Sequence, residues 1–217
     1  MDHDLRSAPS APFRQNSNLP KVIAKSTLLA LVLLQEVFGA IHTDINPNNI
    51  FLSDIHSPSP IVKVGDLGNM LKEGYKTIRL QSLTTRAPEG WRDLGCWPSS
   101  DVWSLGITLT HWLSSPNLIF GAKDKIVQDL TETWCIAKIQ RLLSTSISPP
   151  VNPAYEEEFL VSGVLERGTL VHPDTKVETR FIKMGTLREE LEGLEGLEVD
   201  KELIEFIEDF TFIEKGN

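Results

Sequence analysis

The run His42-Thr43-Asp44-Ile45-Asn46-Pro47-Asn48-Asn49, leading into Ile50-Phe51-Leu52, constrains this chain more than any other stretch. It follows an apolar segment that reaches Phe38 and is stopped by Gly39. It precedes a short apolar run of strand type. A polar loop is thus pinned between a helix and a strand, with an aspartate and an asparagine five residues apart. Asp44 is a candidate acceptor for the proton of a hydroxyl nucleophile. Asn49 offers the hard amide oxygen that suits a divalent cation on nucleotide phosphates.

The 217 residues suffice for one good core plus a tail. The net charge of −9 is concentrated: residues 186–217 carry eleven acidic and three basic side chains. That pattern reads as a solvated helical face. It argues against a nucleic-acid partner, which needs a basic face. Cys96 and Cys135 lack partners at metal-ligand spacing and form no disulfide framework, so reduced, buried thiols in a cytoplasmic or nuclear protein are expected. Residues 1–20 are polar, without a basic region leading into an apolar core, and are expected to be disordered or a linker. The apolar run Leu28 to Leu34 falls short of the ~20 residues that span a bilayer. It is expected as a helix buried deep in the core, with no membrane partner.

Further along, Ile61 to Val64 pairs naturally with Ile50 to Leu52 as a hairpin, joined by a loop rich in Ser, Pro and Asp. Asp66-Leu67-Gly68 follows directly. Residues 69–86, with Lys72, Lys76 and Arg79, show no periodicity and are expected to be a mobile loop closed by Ala87-Pro88-Glu89. A strongly apolar helix begins near Asp101-Val102-Trp103, with Ser99 or Ser100 as its cap, and another helix covers about 129–143. Residues 154–180 are ambiguous. Thr186 and Glu189 fit a capping box, and Leu203, Ile204, Phe206, Ile207 and Phe210 form the stripe of a last amphipathic helix.

Four motifs now stand in order: His-Thr-Asp with Asn49 five beyond the Asp, Asp66-Leu67-Gly68, Ala87-Pro88-Glu89, and Asp101-x-Trp103-x-x-Gly106. Together they resemble the C-terminal lobe of the eukaryotic protein kinases over residues 21–213, with 214–217 as a tail. Thr43 and Leu67 with Asn69 look like the SR-protein kinases and their fungal relatives, and Arg86 is similar to the wider group that holds cyclin-dependent, MAP and SR-protein kinases. The fold implied is mainly α, a helical bundle with a short β-hairpin beside the catalytic loop. By that resemblance Asp44 would be the catalytic base, and Asn49 and Asp66 would hold Mg²⁺ on ATP. Ser82 would tie the activation segment to Asp44, Glu89 would hold the end of that segment, and Asp101 would anchor the catalytic-loop backbone. His42 and Trp103 are expected as core residues. Thr43 stands where an arginine normally reads an activation-loop phosphate, so switching by loop phosphorylation is not expected. The resemblance implies a protein substrate, Arg/Ser-rich by subtype.

Three departures temper that picture. No glycine-rich loop or matching lysine precedes the catalytic loop, so the N-terminal lobe that grips ATP is expected to be missing from this chain. Asn46 stands where a lysine normally offsets charge on the transferred phosphoryl, a loss worth on the order of 10²–10³ in rate. No arginine further along matches the usual partner of Glu89, which is expected to lack one. The chain is then either a Ser/Thr protein kinase, truncated and inactive alone, or a pseudokinase-like protein-binding module. Ala87-Pro88-Glu89 and the Asp101–Gly106 motif disfavour a small-molecule phosphotransferase.

Overall fold

Helix α3 (Pro98–Leu113) is the axis of the fold, buried almost all round from Ser100 onward. The structure, a computed structural model, describes residues 1–16, 18–72, 79–116, 119–171, 174–196 and 198–211. Pro98 occupies the first turn of α3, where its missing N–H costs nothing. Ser100 Oγ accepts from the backbone N–H of Trp97, so the helix starts earlier than the Ser99 or Ser100 cap expected. A Cβ at Gly106 would lie 2.6 Å from the Phe210 Cβ. The bare glycine therefore lets α7 (Lys201–Phe210) pack directly on α3.

Helix α1 (Asn18–Phe38) packs on α3 and on the sheet, burying Leu19, Ile23, Ala24, Thr27 and Leu34. Its expected place deep in the core needs correction. Leu29, Val32, Leu33, Val37 and Phe38 are each more than half exposed. They recur at helical spacing, so α1 is two-faced with an apolar face on both sides.

Strands β3 (Ile50–Ser53) and β4 (Ile61–Val64) form the expected antiparallel hairpin, in register Ile50 to Val64. Strand β2 (Ala40–Ile41) pairs with β5 (Leu71–Lys72) across the ends of the loop segments. The expectation for residues 1–20 is also corrected. Strand β1 (His3–Asp4) adds to β3, and Leu5, Ala8 and Phe13 are buried. The Phe13 ring stacks 6.0 Å from that of Trp112, whose Nε1 donates to Ala8 O at 2.9 Å. These apolar side chains, with the buried Ser10 and Arg14, tie the segment to the core.

Helix α2 (Pro88–Trp91) is a single turn, and α4 (Thr131–Leu142) stands close to where its periodicity put it. The ambiguous 154–180 stretch becomes α5 (Glu156–Arg167) and a small hairpin of β6 (Thr169–Val171) with β7 (Glu178–Arg180). Thr186 caps α6 (Leu187–Glu192) through the reciprocal bonds of a capping box with Glu189. Of the expected mobile loop, residues 73–78, including Lys76, lie outside the described residues, as does the tail from 212. Among the described residues no helix is long and apolar enough to cross a membrane. Both cysteines are free and buried, and burial pushes their thiols up to about 11 at Cys96 and about 12 at Cys135. Both stay protonated and unreactive at neutral pH.

Candidate active site

The site is assembled by one buried carboxylate. Asp101, on the first turn of α3, is 2% exposed. Its Oδ2 accepts from His42 N at 2.7 Å and its Oδ1 from Thr43 N at 2.9 Å. Two backbone donors of the loop are thereby satisfied in the interior. Burial raises the Asp101 pKa above the usual carboxylate value, against the two backbone bonds, which lower it. Thr43 has φ 66°, a left-handed conformation unusual for a β-branched residue. The bond to Asp101 and a 2.8 Å bond from Thr43 Oγ1 to Asn69 O hold it there. His42 is fully buried, its Nε2 2.9 Å from Gly65 O and its Nδ1 accepting from Asp44 N. That pattern makes it a structural imidazole, bonded to the backbone through both ring nitrogens.

This backbone turns the half-buried Asp44 into a converging set of donors. Oδ1 accepts from Ser82 Oγ at 2.8 Å and from Asn46 Nδ2 at 2.9 Å. Oδ2 accepts from Asn49 Nδ2 at 3.1 Å. A carboxylate has about four acceptor sites, so three donors orient Asp44 and leave room for one hydroxyl. The asparagines are themselves locked: Asn46 Oδ1 accepts from both the backbone and side-chain nitrogens of Asn48, and Asn48 Oδ1 accepts from Arg6 at 3.4 Å. With Nδ2 of Asn49 committed to Asp44, its Oδ1 is the atom left to face a cation.

Asp66 sits differently. The β3–β4 ladder brings it next to Asn49, whose carbonyl accepts from Gly65 N at 2.9 Å. Asp66 itself is exposed, left-handed at φ 56°, and makes no capping bond with its side chain. Two hard oxygen donors therefore flank the open end of the hairpin, one fixed and one presented to solvent.

The activation-type segment is held from behind. Gln81 donates to Ser100 O and Ser104 Oγ and accepts from Ala87 N. Arg86 stacks over Trp91, 4.4 Å from the ring, and donates to Leu80 O and Gln81 O. Glu89 is not left without a partner as expected: Ser100 Oγ and Ser99 Oγ donate to its Oε1 at 2.6 and 3.1 Å. Two hydroxyls at the start of α3 do the work of the absent arginine. Trp103 is buried in the core. Gln81, Ser104, Asn48 and Arg6 were not singled out in the sequence. Only their contacts reveal them: Gln81 and Arg6 stand outside the motifs, and Asn48 and Ser104 fill unspecified positions within them.

The site thus pairs a carboxylate aimed by a loop that a buried helix clamps with a second, exposed carboxylate at a hairpin mouth. The sequence matches the Protein kinase domain over residues 8–209. The chain belongs to the protein kinase family. It is 33% identical over 114 residues to Serine/threonine-protein kinase ArnS of Sulfolobus acidocaldarius, covering 45% of this chain and 18% of that protein. It is 29% identical over 151 residues to Serine/threonine-protein kinase dkf-1 of Caenorhabditis elegans, covering 62% and 21%. Ribosomal protein S6 kinase alpha-4 of Homo sapiens is 33% identical over 97 residues, covering 42% and 12%. The aligned region thus spans about a fifth or less of these relatives' own length.

Proposed function

We propose that this chain carries the catalytic-loop half of a Ser/Thr protein kinase, with Asp44 as the base that accepts the substrate hydroxyl's proton. The observation that carries this is the aimed Asp44 carboxylate, held by Ser82, Asn46 and Asn49 with one acceptor direction left. Asn49 Oδ1 and Asp66 would hold Mg²⁺ bound to ATP, and their hard oxygens fit that ion. The ion neutralises charge on the phosphates when bound. Phosphate oxygens and water would complete its shell. Asn46 orients Asp44 but brings no positive charge to the transferred phosphoryl. Ser82, Arg86 and Glu89 position the activation segment, and Asp101 positions the loop. On this account 21–213 is a C-lobe and a small lobe outside these residues supplies the rest of the nucleotide site. Thr43, Leu67 and Asn69 support the SR-protein-kinase type, for which Arg/Ser-rich substrates would follow.

The second reading, a pseudokinase-like binding module, is favoured by one observation. The group beside Asp44 is a neutral asparagine already spent on hydrogen bonds within the loop. Melting the purified chain with and without Mg·ATP separates the two. Ligand at 100 times its Kd stabilises by about 2.7 kcal/mol, or roughly 5–10 °C. The kinase reading expects a shift that needs Mg²⁺ and disappears in Asp66→Asn. A cooperative melt unmoved by Mg·ATP favours the binding module.

A further inference from the structure

We propose that the groove beside the catalytic loop receives an acidic segment of the protein substrate, so that acceptor hydroxyls flanked by Asp or Glu are selected over those flanked by Arg. This rests on the assignment of Asp44 as the phosphotransfer base.

The groove has a volume of about 420 Å³ and runs along Asn46 to Asn48 of the catalytic loop and past Ser82. Ser82 Oγ touches Asp44, so an acceptor residue at Asp44 puts its neighbours into this groove. Arg6 and Lys123 line it, both exposed, and none of its lining residues is a carboxylate. In a chain of net charge −9, a cationic groove at the reaction centre is a local inversion of the overall field. Arg6 is placed there by the folded N-terminal segment: β1 pairs with β3, Arg6 N donates to Pro47 O at 3.1 Å, and its guanidinium makes one long bond to Asn48. Its remaining N–H groups face a ligand with a carboxylate-matching fork.

The floor adds no charge. His111 lines the groove from α3, is 4% exposed, and its Nε2 has no hydrogen-bond partner. Burial and the neighbouring Lys138 ammonium hold the imidazole neutral, its pKa pushed down to about 3. Lys138 is itself matched by Asp124 at 2.9 Å, so the cations facing the groove are Arg6 and Lys123. An Arg-rich segment here would meet two like charges and no carboxylate along the lining, Asp44 standing at its edge behind Ser82 and Asn46. The groove thus departs from the substrate class that Thr43 and Leu67 imply.

The test is peptide binding by fluorescence anisotropy, at low salt and without nucleotide. The probe carries alanine at the acceptor position, flanked on both sides by Asp and Glu, and is compared with the same peptide bearing Arg or Gln there. The acidic probe should bind at least about tenfold tighter than the Arg probe. The double variant R6E/K123E, whose two sites are exposed, should reverse that order, while Lys201→Glu on exposed α7 should leave it alone. Equal or tighter binding of the Arg probe, failure of every probe to bind, or an acidic preference unmoved in R6E/K123E overturns the proposal. With no nucleotide and no acceptor hydroxyl present, a chain that lacks phosphotransfer still gives a clear answer.

Discussion

The catalytic loop and the Asp66 segment lie side by side at the mouth of one hairpin, yet they are built in opposite ways. Asp44 is fixed from three directions, and the backbone behind it is bonded into the interior through Asp101. Asp66 is exposed, left-handed, and without a capping bond. The difference follows from what each side can draw on. The loop is backed by buried α3, where an unmet donor is expensive and must be satisfied. Asp66 emerges past the end of the β3–β4 ladder, and the next ordering bonds come only at Leu67 to Asn69 and in β5. The proposed base is therefore preorganised, whereas the proposed metal ligand waits for its ligand to complete it.

Breaking the anchored side should have the largest effect. Asp101→Ala orphans the backbone N–H groups of His42 and Thr43 in the interior and releases Thr43 from its left-handed backbone. Stability should fall by about 3–5 kcal/mol in denaturant titration. Acid probes the same side. The His111 pKa is pushed from 6.5 down to about 3 by burial, a depressed folded value. Its stabilising contribution is present above pH 6.5 and is lost as pH falls towards 3, by up to about 5 kcal/mol. Asp101, with a raised folded pKa, works in the other sense: its contribution is present below 3.8 and lost as pH rises through the folded value. Melting temperature against pH should show the acid loss, and His111→Gln should remove it.

Smaller changes sharpen the contrast. Ser82→Ala deletes one donor to Asp44 while Asn46 and Asn49 remain, and should cost about 1 kcal/mol of stability. Asp66→Asn keeps a residue that tolerates the left-handed backbone. It should alter the stability of the ligand-free chain by less than about 0.5 kcal/mol. If Asp66→Asn instead destabilised the chain as much as Ser82→Ala, the two sides would not differ as described.

Much of this arrangement was legible in the residues. The hairpin of β3 and β4, helix α4 and the Thr186–Glu189 capping box follow from local patterns, and the structure agrees. The N-terminal segment was not legible, because Leu5, Ala8 and Phe13 have no helical or strand period. Their partners, Ile50 and Trp112, lie far along the chain. Helix α1 misled in the other direction: its all-round apolarity suggested burial, but Val32 and Phe38 face outward. In the site, motif spacing identified Asp44, Asn49 and Asp66. It could not reveal that Ser99 and Ser100 serve Glu89, or that Gln81 bridges the activation segment to α3. Those contacts depend on how two helices dock, which no local pattern encodes.

Amide hydrogen exchange with and without Mg·ATP tests the central contrast most directly. The account predicts that the amides of His42 and Thr43 are strongly protected in the ligand-free chain and change little on adding Mg·ATP. Those of Asp66 to Asn69 should exchange fast without ligand and become protected with it. Fast exchange at His42 and Thr43 before ligand is added, or a protected Asp66 segment without it, would contradict a prebuilt base beside an open metal ligand.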